Sequence, residues 1–123
     1  MNTSGRKVNK GWGHELIFAD TKDYCGKLLV LDKKGKKFSM HFHDKKDETW
    51  YVYKGSFKIS YIITDTAETK EVILNTADVW HNERLSLHQL IALEDDSIIF
   101  EVSTHDDPED SFRVTPGDSQ KKI

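Results

Sequence analysis

Two histidines one residue apart, His41 and His43, stand in the run GKKFSMHFHDKKDE, and a carboxylate, Glu48, follows after four further residues. Side chains on a strand alternate between faces, so the two imidazoles project the same way and can reach a single metal ion together. The intervening Asp-Lys-Lys-Asp is turn chemistry that returns Glu48 beside the first strand, where its carboxylate supplies a third ligand. Period-two alternation places Ser39, His41 and His43 on one face and Phe38, Met40 and Phe42 on the other. The chemistry this pattern predicts is coordination of a divalent ion.

The elements that must position these residues are strands. From Glu15 to Thr104 the chain breaks into runs rich in β-branched and aromatic residues, among them ELIFA, KLLVLD, TWYVY, FKISYIIT, KEVILN, DVWHNE, HQLIALE and SIIFEVST. Turn-forming stretches such as KDYCG, KKGKK, TDTAE, NTAD and EDDS separate them, returning roughly every eight to twelve residues, the rhythm of a β-sandwich or small barrel. No helical periodicity of useful length stands out. Both prolines, Pro108 and Pro116, lie beyond the last of these runs, in a polar, turn-rich segment expected to lie over the barrel or to be partly loose.

The 123 residues fit one domain spanning 1–123, with a core over about 11–104 and a polar tail over 105–123. A net charge of -3, with 37% hydrophobic and 32% charged residues, lacks the basic excess of a nucleic-acid binder, so no nucleic-acid partner is expected. There is no apolar signal-like stretch near the start and no run approaching the roughly 18 apolar residues of a membrane span. A cytoplasmic location and no membrane partner are therefore expected. Cys25 is the sole cysteine, which rules out an intramolecular disulfide and a cysteine-built zinc site, and it reads as a small hydrophobe.

With its flanking glycines the first motif reads Gly35, five residues, His41-x-His43, four residues, Glu48, six residues, Gly55. Every position of that pattern resembles the first motif of the cupin superfamily. The stretch from Ala77 through Asp78, Glu83, Leu85 and His88 to Ala92 is similar to the second cupin motif. It keeps the aspartate and the final histidine, while Ala77, Glu83, Leu85 and Ala92 stand where the family has glycine, proline, glycine and asparagine. The resemblance implies an all-β double-stranded β-helix, a jelly-roll cupin barrel, with His88 completing the site and His81 as the substitute should the alignment slip. Three neutral imidazoles and one carboxylate suit Mn, Fe, Co, Ni or Zn better than Ca or Mg.

The segments GWGHELIF, HFHDKKDETWYVYKGSFKI and FEVSTHDDPEDSFRV further resemble the cupin domain of type II mannose-6-phosphate isomerases and their stand-alone relatives, over most of residues 11–114. That likeness implies a metal-dependent, isomerase-like enzyme of carbohydrate metabolism. Its substrate would be a phosphorylated, nucleotide-linked or acidic sugar whose carbonyl is polarised by the metal. The candidates for moving a proton are His81, His105 and Glu83. Arg84 and Arg113 are the fixed cations expected to hold an anionic group, and Trp50, Tyr51 and Tyr53 alternate along one strand so that one face can stack on a sugar ring. The same ligand set also admits a non-heme iron dioxygenase, or a non-catalytic module that binds a sugar or nucleotide sugar. A homodimer paired through the N-terminal strands is expected.

Overall fold

In the computed structural model, which describes residues 4–120, the alternating runs form eleven strands. In chain order they are β1 (Arg6–Lys10), β2 (Gly13–Asp20), β3 (Cys25–Leu31), β4 (Met40–Phe42), β5 (Glu48–Lys54), β6 (Phe57–Ile63), β7 (Glu68–Leu74), β8 (Val79–Asn82), β9 (Leu87–Ala92), β10 (Ser97–Ser103) and β11 (Phe112–Thr115). A single 3₁₀ turn, Asp118–Gln120, follows. No helix among the described residues is long and apolar enough to cross a membrane.

The strands make two antiparallel sheets, one ordered β1-β2-β3-β10-β5-β8 and the other β11-β4-β9-β6-β7. From β3 onward every connection except β6–β7 crosses between the sheets, which is the wrapped connectivity of a jelly roll. The core lies between them. Leu29, Leu31, Trp50, Val52 and Ile99 come from the first sheet and Phe57, Ile59, Leu74, Leu90 and Ala92 from the second, each at an alternate, inward position. At roughly 25 cal/mol per Å² of apolar surface removed from water, these side chains are the main favourable contribution to folding.

The first motif departs from uniform alternation. Only Met40–Phe42 forms regular strand there, and Phe38, expected on the face opposite the histidines, turns inward. Its ring packs 4.6 Å from that of Trp12 and 6.0 Å from that of Trp50. The reason is local. Phe38 lies outside the regular β4 ladder, its N–H bonds to the Leu90 carbonyl, and the chain regains strict alternation only from Met40. Phe42 then faces outward and stacks on Phe112 at 5.1 Å.

Two edge strands are short and mostly exposed. β1 reads RKVNK and β11 reads FRVT, with all four residues of β11 exposed. β11 pairs with β4 in a ladder that places Arg113 opposite His41, so the C-terminal segment borders the first motif directly.

Candidate metal centre

Three strands deliver the donor side chains. β4 carries His41, with His43 just beyond its end; β5 opens with Glu48; β9 carries His88, which pairs directly with His41 across the β4–β9 ladder. Cross-strand partners project to the same face, so this register places the two imidazole rings 4.5 Å apart. The ring of His43 lies 4.9 Å from that of His41 and 6.0 Å from that of His88. One donor atom from each of His41, His43, Glu48 and His88 lies within 4.8 Å of all the others.

The backbone sets which nitrogens face the centre. His41 Nδ1 bonds to the Ser39 carbonyl and His88 Nδ1 to the Ser86 carbonyl, each at 2.8 Å, and His43 Nδ1 bonds to the Asp110 carbonyl. A carbonyl oxygen only accepts, so each Nδ1 carries the proton and each Nε2 presents a bare lone pair. This is the outer-shell arrangement that orients histidines toward a metal.

His88 Nε2 is fully buried and has no hydrogen-bond partner, although Glu48 Oε1 lies 3.2 Å away. A bare nitrogen lone pair against a carboxylate oxygen at that distance is repulsive unless a cation stands between them. Donors bound at about 2.1 Å to one ion lie roughly 3 Å apart at neighbouring positions, which matches this spacing. The residues present therefore fit a divalent metal.

Electrostatics agree with that fit. Burial, with His88 and His43 adding to it, pushes His41 down to about 3, and burial likewise lowers His43, so both are neutral ligands in ordinary conditions. Burial opposes ionisation of Glu48, but its carboxyl is held well below the usual range, and with His88 neutral the cation that favours the carboxylate is the Lys46 ammonium beside it. Asn82 Nδ2 donates to Glu48 Oε1 at 3.3 Å while Lys46 Nζ lies 3.6 Å from Oε2, which fixes the carboxylate plane.

Three of the donors, His41, His43 and Glu48, line a cavity of about 470 Å³ whose walls include Trp12, Phe38, Lys27, Lys46, Glu101 and Arg113, with His88 buried behind them. Behind the donors runs a buried ionic network. Lys46 Nζ lies 3.1 Å from Glu101 Oε2 and 3.3 Å from Asp106 Oδ1, and Lys27 Nζ lies 3.0 Å from Asp106 Oδ1 and 3.3 Å from Glu15 Oε2. Trp50 Nε1 donates to Glu101 Oε1 at 2.9 Å. Burial and the charge of Glu48 push Glu101 up to about 7. The sequence signal for this network was available. Lys27 falls in phase with buried Cys25, Leu29 and Leu31, Glu15 with Ile17, and Glu101 with Ile99, and a charge at an inward position requires a partner.

Asp110 is a further residue that spacing alone does not single out as a support of the site. Its carboxylate accepts the N–H groups of Asp44 and Lys45 on Oδ1 and of Lys45 and Lys46 on Oδ2, at 2.9 to 3.2 Å, so it holds the turn between His43 and Glu48.

The other residues singled out in the sequence are dispersed. Trp50 lines the cavity with its ring 5.5 Å from that of His88, and Arg113 lines it from the neighbouring strand. Tyr51 and Tyr53 are exposed and lie outside the cavity lining. Arg84 lies on the surface, donating from Nε to the Lys45 carbonyl with Nη1 3.6 Å from Asp47. His81 donates to the other oxygen of Asp47 at 2.6 Å, Glu83 is an exposed turn residue, and His105 donates to Asp20 and to the Thr21 carbonyl. None of these last four lines the cavity.

No protein-family model and no curated protein matches the sequence. The likeness is to solved structures. Against CapF, the capsular polysaccharide assembling protein of Staphylococcus aureus, the TM-score is 0.79 at 18% identity over 94% of this chain. Against oxalate decarboxylase from Bacillus subtilis it is 0.75 at 18% identity over 92%, and against KdgF from Halomonas sp. it is 0.70 at 22% over 87%. The chain spans about a third of the length of CapF and of oxalate decarboxylase, at 33% and 30%, and 92% of KdgF. Mn(II) centres are described for the oxalate decarboxylase. These are cupin jelly-roll proteins, and at such identities the likeness establishes the fold: a cupin barrel, carrying here a three-histidine, one-glutamate donor set suited to a divalent metal.

Proposed function

We propose that this protein is a metal-dependent enzyme acting on a small sugar phosphate or acidic sugar, isomerase-like in the manner of the type II mannose-6-phosphate isomerase cupins. The observation that carries the reading is the position of Arg113. It stands in register with His41, lines the same cavity, and has no ion-pair partner among the described residues. A free guanidinium beside four metal donors suits a substrate with an anionic group at one end and oxygens able to reach the metal at the other.

When bound, a divalent ion supplies Lewis-acid polarisation of a carbonyl and its neighbouring hydroxyl. His41, His43, Glu48 and His88 hold it. Arg113 binds the anion and sets the register of the sugar, while Trp12 and Phe38 give the ring an apolar wall. Glu101, in the lining and in contact with Lys46, is the carboxylate placed to hold or pass a proton. Likeness to CapF, a capsular polysaccharide assembling protein, is in keeping with a carbohydrate ligand. The working unit in this proposal is a homodimer.

The test is turnover by metal-loaded protein of mannose 6-phosphate to fructose 6-phosphate, with uronates assayed beside it. Activity is expected, is lost in His88→Ala together with the metal, and in Arg113→Leu shows KM raised about 10- to 100-fold with kcat changed less. Inactivity across sugar phosphates and uronates rejects the isomerase reading. Oxygen consumption by Fe(II)-loaded protein would then identify a non-heme iron dioxygenase, and ligand-induced thermal stabilisation without product a binding module.

A further inference from the structure

The outer face of the six-stranded sheet has no layer over it, yet it does not read as a solvent face. Directly opposed residues form one row across five strands: Leu16 beside Leu28, Leu28 beside Phe100, Phe100 beside Tyr51, and Tyr51 beside Val79. Val30 and Ile98 pair in the row on one side, and Val102 stands in the row on the other. Phe18 folds over Gly26 with its ring 5.3 Å from that of Phe100. Val79 is 62% exposed, Val102 55%, Tyr51 43% and Phe100 37%.

Between Leu16 and Val79 this row holds no Asp, Glu, Lys or Arg, in a chain in which 32% of residues are charged. Lys7 and Lys54 stand only at the margins, opposite Leu16 and Ile98. An antiparallel sheet with one solvated face ordinarily alternates apolar-in with polar-out. Here the outward positions of β3 and β10, Leu28 and Val30 on one and Ile98, Phe100 and Val102 on the other, are apolar where a solvated face would be polar.

We propose that this face docks a second copy of the chain, sheet on sheet about a two-fold axis, and not through the edge of β1. Five strands at about 4.8 Å spacing and seven residues at about 3.3 Å give a plan area of roughly 500 to 600 Å². Side-chain relief raises that toward the ~800 Å² per partner of a standard interface. A neutral face offers no charge pattern for a differently charged partner, whereas two copies, each with a net charge of -3, approach with least repulsion through it. Aligned sheet packing is also self-complementary, as a two-fold contact requires. The cavity opens on the other side of this sheet and is left accessible.

The test is light scattering and sedimentation velocity on the full chain at about 1 to 100 µM, the range in which a micromolar dimer dissociates. The expected mass is twice 14.2 kDa. Val79→Lys and Val102→Lys change exposed positions and so retain the fold, checked by circular dichroism. Each is expected to raise the dissociation constant about 100-fold by placing an unpaired charge at the contact. A monomeric parent at the top concentration overturns the proposal, and so does a dimer that survives both substitutions, since it uses another surface.

Discussion

At the scale of single residues, the donor set is held by groups that never touch the metal position. Each imidazole is aimed by one carbonyl, and for His43 that carbonyl belongs to Asp110, 67 positions away. The Asp110 side chain simultaneously ties three successive N–H groups of the turn leading to Glu48. Burial opposes its charge, but those N–H groups hold its carboxyl below the usual range. Asp110→Ala is therefore expected to weaken divalent-metal affinity about 10- to 100-fold, the usual cost of losing an outer-shell support. It should also lower stability by about 2 to 4 kcal/mol through three uncapped backbone donors. Calorimetric titration with Mn(II) or Zn(II) and a denaturant melt measure the two effects. Asp110→Asn, which retains one acceptor oxygen, should recover part of both. Affinity equal to the parent in Asp110→Ala would show that the turn holds itself.

At the scale of elements, the blurred second motif shows how a conformation outlasts its usual residue. Ala77 and Leu85 stand where the cupin pattern has glycine, and both adopt left-handed backbone, with φ of 76° and 67°. Such a φ costs a side-chain-bearing residue about 1 to 2 kcal/mol. The strain persists at Leu85 because its N–H donates to the His43 carbonyl at 2.7 Å, joining the loop before β9 to the first motif. Leu85 is 55% exposed, so its side chain contributes little packing. Leu85→Gly is expected to stabilise the protein by about 0.5 to 1 kcal/mol, the relieved strain less the added freedom of the unfolded chain. Gly55→Ala should do the reverse, by about 2 kcal/mol or more, since φ there is 78° and a Cβ would overlap Ser97. Thermal melts of both variants check the pair of signs. The first motif was legible because its histidines, carboxylate and glycines are all retained. The second was less so because the substitutions removed the glycine signal while leaving the turn intact. β1 and β11 were not legible as strands, since RKVNK carries a single apolar residue and FRVT, although it alternates, is only four residues long and exposed throughout.

At the scale of the whole molecule, the cavity wall beside the metal donors is an ionic network contributed by β2, β3, β5, β10 and the loops before and after them. Strand periodicity identified the two faces of each sheet, but it does not say that Glu15, Lys27, Glu101 and Asp106 meet, because their pairing is set by which strands are neighbours. The network makes stability depend on pH at both ends. Burial alone would raise the carboxyl of Asp106, but Lys27 and Lys46 hold it below its ordinary value near 3.8. A depressed carboxyl contributes stability that is present above its unfolded value and is lost as pH falls through the lower folded value. Lys27 behaves oppositely. Burial and Lys46 press it down, yet Glu101, Glu15 and Asp106 outweigh them and raise it above 10.5. Its contribution is therefore present below that value and lost as pH rises through the higher one. From Asp106 and Lys27 the expected contribution is a plateau through neutral pH with an acid limb beginning near 4, and Glu101, raised to about 7, adds a loss of stability as pH rises through that value. Asp106→Asn keeps an acceptor but removes the charge that Lys27 and Lys46 share. It should lower the plateau by about 1 to 3 kcal/mol, less than for a fully buried pair because Asp106 retains some contact with water. It should also make the acid limb shallower, since one of its depressed carboxyls is gone while Glu48 and Asp110 remain. Denaturant melts between pH 3 and 8 distinguish this from a packing loss, which would lower the plateau and leave the limb as steep as in the parent.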